Sequence, residues 1–167
     1  MGSSRSWWAS KARQLGRHLV ARVAPTERAG LAGWLTPAQL ALFDAMPVAD
    51  RRHGLDVLDR LRALGPDDRD LQLAGLFHDA GKGHSIRLWH RVAWSLGEHL
   101  GAWAHRLASG LPGGAEAMAR LRDHADRSAA LALAAGCGPR AAALIRGDVP
   151  PADAAAAALL HVADEAG

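Results

Sequence analysis

Tyrosine is absent from this 167-residue chain, phenylalanine occurs twice and cysteine once. The lone Cys137 excludes an intramolecular disulfide and a cysteine-rich zinc site. It fits a reducing cytoplasm, the compartment expected here. No apolar run approaches the roughly 20 residues that a membrane-spanning helix needs. Arg5, Lys11, Arg13 and Arg17 break up any secretory-signal pattern near the start. Few residues are β-branched and strand-like alternation is missing, which argues against a sheet. Lysine is nearly missing too: of 20 basic residues only Lys11 and Lys82 are lysines. A lysine at 82 therefore stands out in a chain that otherwise uses arginine.

What remains is rich in alanine and leucine, with 49% hydrophobic and 22% charged residues. That composition fits one helical domain with a real core. Six tryptophans carry the aromatic load. Charge is uneven: residues 1–28 hold six basic groups against one acidic, and residues 29–167 hold 14 against 16. The basic pI belongs to the N-terminal part, and no specific nucleic-acid partner is expected from it. Residues 1–28 read as a basic helical arm and linker, residues 29–167 as the main domain. Met1–Ser6 fits a myristoylation pattern as well as an unstructured start. Trp7–Val23 is a candidate basic helix that can cover the main domain, a second subunit in a dimer, or a membrane surface. Pro25–Gly33 reads as linker.

Thr36-Pro37-Ala38-Gln39 is a capping box with proline at the first helical position. The next helix, Asp50–Leu64, carries His53, Val57 and Leu61 on one stripe, and Gly65-Pro66 ends it. Asp67 or Asp68 caps the helix after it. That helix ends in FHDAGK, with Leu71, Ala74, Gly75 and His78 on one face and Asp79 beside it. An imidazole and a carboxylate delivered together make a mixed nitrogen/oxygen corner for a divalent metal. Gly81 and Gly83 break the helix around Lys82, where an anion can reach the ammonium. A long helix to about Ser109 should follow, with His90, His99 and His105 as structural or surface histidines. Ala115–Ala135 reads as one helix with His124, Ser128, Leu131 and Ala135 on a face. A short helix over Arg140–Arg146, a turn at Gly147–Pro151 and an alanine-rich final helix complete the chain. In that last helix Asp164 lies four residues after Leu160, in line with a buried position. A carboxylate there needs a metal, a cation or hydrogen bonds to offset its burial.

His53, the adjacent His78-Asp79 pair, Gly81-Lys82 and the distant Asp164 form an ordered set that resembles the HD-domain metal-dependent phosphohydrolase superfamily. The resemblance covers about residues 40–167. It implies an all-α, HD-domain-type helical bundle in which His53, His78, Asp79 and Asp164 hold a divalent metal such as Mn, Fe or Mg. It further implies Asp79 as a group that orients water, Lys82 beside a substrate phosphate, and a small phosphorylated substrate such as a nucleotide. His124 and Asp148 stand where two-metal relatives carry further histidines, as second-metal or substrate ligands. Aspartate at 148 departs from that pattern, so one metal is expected rather than two. The same fold also serves catalytically silent binding or regulatory modules and, with fuller histidine sets, iron-dependent oxygenases.

Overall fold

The computed structural model describes residues 21–65, 67–84, 86, 90, 93–94, 109–111 and 113–165. Among these the chain is all helical, with no strand. In order come α1 (Pro25–Ala32), α2 (Pro37–Ala45), α3 (Val48–Leu64), α4 (Arg69–Phe77), α5 (Gly114–Arg122) and α6 (His124–Ala134). They are followed by α7 (Pro139–Arg146), a 3₁₀ turn (Pro151–Asp153) and α8 (Ala154–Glu165). No described helix is long and apolar enough to cross a membrane.

Helix α4 is the axis of the bundle. Every residue from Leu71 to Phe77 is buried, because α3, α7, α8 and α6 all pack on it. A helix covered on all sides needs an apolar surface all round, and LQLAGLF nearly provides one. Gln72 is the exception, and its amide donates to Asp67 Oδ1 at 3.2 Å. Asp68 caps the first turn by accepting from the Leu71 N–H at 3.1 Å. Arg140 of α7 then bridges Asp68 to Asp153, at 2.8 Å each. One guanidinium thus ties the start of α4 to the approach of α8.

Capping at α2 follows its sequence, with Gln39 N–H donating to Thr36 Oγ1 and Gln39 Oε1 accepting from Thr36 N–H. Buried Gln39 also donates to the Cys137 thiol at 3.6 Å, so the single cysteine is a free, packed group.

Two expectations are corrected. Pro25–Gly33 is no linker, since most of it is α1. Proline at the first position presets the helical φ, and Glu27 reaches back to accept from the Ala24 N–H at 2.7 Å. Leu31 is buried, while Glu27 and Arg28 pair with Arg52 and Asp44 of the body. Residue 28 lies inside α1. The single helix expected over Ala115–Ala135 is two, divided at Asp123, whose φ of −96° and ψ of 9° leave the helical range. The face of α6 turns with that break: Ser128, Ala129 and Ala132 are buried, and Leu131 is exposed.

Most of the candidate basic helix Trp7–Val23 lies outside the described residues, as do His99 and His105 and much of the helix expected before Ser109. His90 is described and buried.

Candidate metal centre

The site begins with two missing side chains. A Cβ on Gly54 of α3 would lie 2.5 Å from the Leu76 carbonyl oxygen of α4. A Cβ on Gly75 of α4 would lie 2.5 Å from Leu61 Cδ1 and 3.1 Å from Val57 Cγ1 of α3. Reciprocal glycines let the two helices approach more closely than any larger residue allows. His53, next to Gly54, is thereby brought edge-on to His78, with ring centroids 5.0 Å apart and planes at 69°.

His78 is the cap residue that ends α4. Its Nδ1–H donates to the Gly75 carbonyl at 2.9 Å, which turns Nε2 toward the carboxylates. Such a backbone tether is the usual support of a ligating histidine, because it sets ring orientation and tautomer. Nε2 lies 3.6 Å from Asp79 Oδ1 and 3.4 Å from Asp164 Oδ1. Asp164, near the end of α8, also meets His53 Nε2 at 2.8 Å. One donor atom each from His53, His78 and Asp79 falls within 4.8 Å of the others, and this group can hold a metal ion. Two imidazoles and a carboxylate, with a second carboxylate beside them, suit a borderline or hard divalent cation.

Asp79 is buried in the turn after α4. Lys82 Nζ donates to its Oδ2 at 2.5 Å, and the Lys82 N–H donates to the Asp79 carbonyl at 3.1 Å. Lys82 is thus folded back onto the aspartate. The turn is locked onto α6: the Gly81 N–H donates to Ser128 Oγ at 2.8 Å. A Cβ on Gly81 would strike the His124 carbonyl at 2.5 Å and the Ser128 nitrogen at 2.7 Å. Ser128 and Gly54 are supports that the sequence reading did not single out. The only advance signal for Ser128 was its place one turn after His124 on the same face.

The break at Asp123 brings His124 in. Its Nδ1–H donates to the Leu121 carbonyl at 2.6 Å, and Nε2 stands 3.8 Å from Asp79 Oδ1. Asp148 is not brought in. It is exposed in the turn after α7, with no ion pair to the site among the described residues.

Electrostatics follow from this crowding. Burial alone would lower the pKa of His78, yet the charges of Asp79 and Asp164 outweigh it and raise the imidazole to about 9. Burial would raise the pKa of Asp79, but Lys82, His78 and His53 hold it well below the usual carboxylate range. Asp164 is likewise lowered against the cost of burial, by hydrogen bonds from His53 and His78. Two ionised carboxylates next to two imidazoles are a donor set that releases protons when it takes a cation.

Comparison of the chain with protein-family models, curated proteins and solved structures finds no significant match in any of the three.

Proposed function

We propose that the protein is a metal-dependent phosphohydrolase of the HD-domain type, cleaving a phosphate ester of a nucleotide or a related small molecule. The observation that carries this reading is the meeting of His53, His78, Asp79 and Asp164, drawn from three helices and one turn, with an ammonium on the same carboxylate. Those four side chains would hold one divalent ion. The chemistry that such an ion supplies is Lewis-acid polarisation of a phosphate oxygen and acidification of water.

The remaining roles belong to the protein. Asp79, kept ionised by its cationic neighbours, can orient a water through a carboxylate oxygen. Lys82 supplies fixed positive charge close to where negative charge develops on phosphorus. His124, held at Nδ1 by a backbone carbonyl, presents Nε2 to the same space and can bond a phosphate oxygen. Buried Ser128 keeps the turn that carries Asp79 and Lys82 in place through the Gly81 N–H.

Metal analysis of the purified protein, followed by a panel of phosphate esters with Mn²⁺, Fe²⁺ and Mg²⁺, tests the reading. Asp79→Ala is expected to lose both metal and turnover. The loss should be at least the roughly 100-fold that removing a mere support of a metal ligand can cost. Turnover by Asp79→Ala at the parent rate would sink the mechanism. Metal binding with no turnover on any ester would point instead to a catalytically silent binding module.

A further inference from the structure

We propose that Arg120 is a specificity-determining residue that binds a second phosphate next to the reacting one, so that the centre favours diphosphate-bearing substrates over simple monoesters. The inference rests on the phosphohydrolase reading above and names a substrate class within it.

Arg120 differs from the other partly covered arginines of the body. Arg52 pairs with Glu27 and Asp56, and Arg140 with Asp68 and Asp153. Arg120 has its side chain 28% exposed, and among the described residues its ion pair is with Glu116, 3.7 Å from Nη2 and 79% exposed. So loose and solvated a pair contributes little, and an incoming anion displaces it easily. The Arg120 Nε is sealed from solvent and meets no acceptor among the described residues. A charged donor left that way costs free energy that a bound anion recovers. Arg51 also lacks an acceptor at Nε, but its guanidinium lies over the Phe43 ring, 5.9 Å from the centroid.

Position brings the Arg120 charge to the site. Met118 and Leu121, on either side of it in sequence, are buried with Ile86 and hold α5 in place. The guanidinium lies against the turn that carries Asp79 and Lys82, with Nη1 3.6 Å from where a Cβ on Gly83 would sit. Gly83 has φ 66°, a conformation that suits glycine, and it bares the backbone of the turn to Arg120. His124 is tied to the end of the same helix through the Leu121 carbonyl. The reading above gives the metal, Lys82 and His124 to the phosphate that reacts. Arg120 stands further along the turn, beside Gly83, where a second phosphate joined to the first reaches it. A guanidinium forks onto two phosphate oxygens at once. Because α5 fixes this cation before substrate arrives, less ordering is needed on binding.

The test titrates the Mn²⁺-loaded full chain by calorimetry with inorganic phosphate and with pyrophosphate, at one fixed concentration of free Mn²⁺. The parent should bind pyrophosphate more tightly than phosphate. Arg120→Gln should lose roughly 10–100-fold in pyrophosphate affinity, the range expected for hydrogen bonds between charged groups, while its affinities for phosphate and Mn²⁺ scarcely change. Arg120→Lys should regain part of the loss, since an ammonium keeps the charge but not the fork. Circular dichroism checks folding, and Arg120→Met carries the same expectation if the glutamine variant does not fold. Equal affinity of the parent for the two anions would overturn the inference while bound Mn²⁺ keeps the metal reading intact. So would a neutral variant that binds pyrophosphate as the parent does, or that loses both anions alike. A parent that binds no Mn²⁺ would remove the metal reading and the inference together.

Discussion

Two ends of one site are built differently. Where α3, α4 and α8 meet, the ligand candidates sit on helices pressed together. Gly54 and Gly75 remove the atoms that would hold α3 and α4 apart, and His53, His78 and Asp164 close to 2.8–3.4 Å. Where α6 and α7 approach the same site, the chain also offers a histidine and an aspartate, and only the histidine arrives. His124 is aimed by a hydrogen bond to its own preceding turn. Asp148 instead follows Gly147, which closes α7 in the left-handed region at φ 73°. There the Gly147 N–H donates to Leu144 and the Asp148 N–H to Ala143, at 3.2 and 3.1 Å. That arrangement satisfies the last carbonyls of the helix and leaves the Asp148 side chain exposed. His124 adjoins the closely packed Gly81 turn, whereas Asp148 sits in the turn that closes α7.

The largest effect should come from forcing the packed end apart. Gly54→Ala puts a methyl group on the Leu76 carbonyl, an atom of the backbone that cannot swing away. Overpacking of this kind costs about 1–3 kcal/mol, and thermal melts should show a drop of several degrees. Metal affinity measured by titration should fall with it, because His53 moves with the helix. A variant as stable and as metal-avid as the parent would show that the close approach does not form the site.

A smaller effect sharpens the electrostatic side of the same end. The pKa of His78 is raised from its ordinary 6.5 to about 9 in the folded, metal-free protein. A raised value contributes stability that is complete below 6.5 and is lost as pH rises through about 9. With chelator present, the melting temperature should therefore decline across that window. Saturating Mn²⁺ should flatten the decline, since the ion replaces the proton. His78→Gln should abolish the slope in chelator; an unchanged slope would assign it to another group.

The smallest effect belongs to the other end. Asp148→Asn changes an exposed side chain whose backbone, not its carboxylate, makes the helix-closing bonds. Stability should stay within about 0.5 kcal/mol of the parent, and Mn²⁺ affinity should not move. A tenfold loss of affinity would place Asp148 in the centre after all.

By itself the sequence determined the helical class and most helix limits, because those depend on local chemistry. Thr36-Pro37 and Asp68 start helices, Gly65 and Gly147 end them, and the spacing of His53, Val57 and Leu61 marks a buried stripe. It also picked out His53, His78, Asp79 and Asp164, since histidines and carboxylates on inward stripes are conspicuous. Local signals were weaker where helix and non-helix are nearly balanced. Proline at 25 read as linker although Glu27 could close a cap, and the break at Asp123 has no glycine or proline to announce it. Only the tertiary structure decided that Gly54 meets the Leu76 backbone and Gly75 meets Leu61 and Val57, that Ser128 holds the Gly81 turn, that Lys82 folds back onto Asp79, and that Asp148 is exposed. Each of these depends on distances between segments far apart in the chain, and periodicity along one helix carries no information about them.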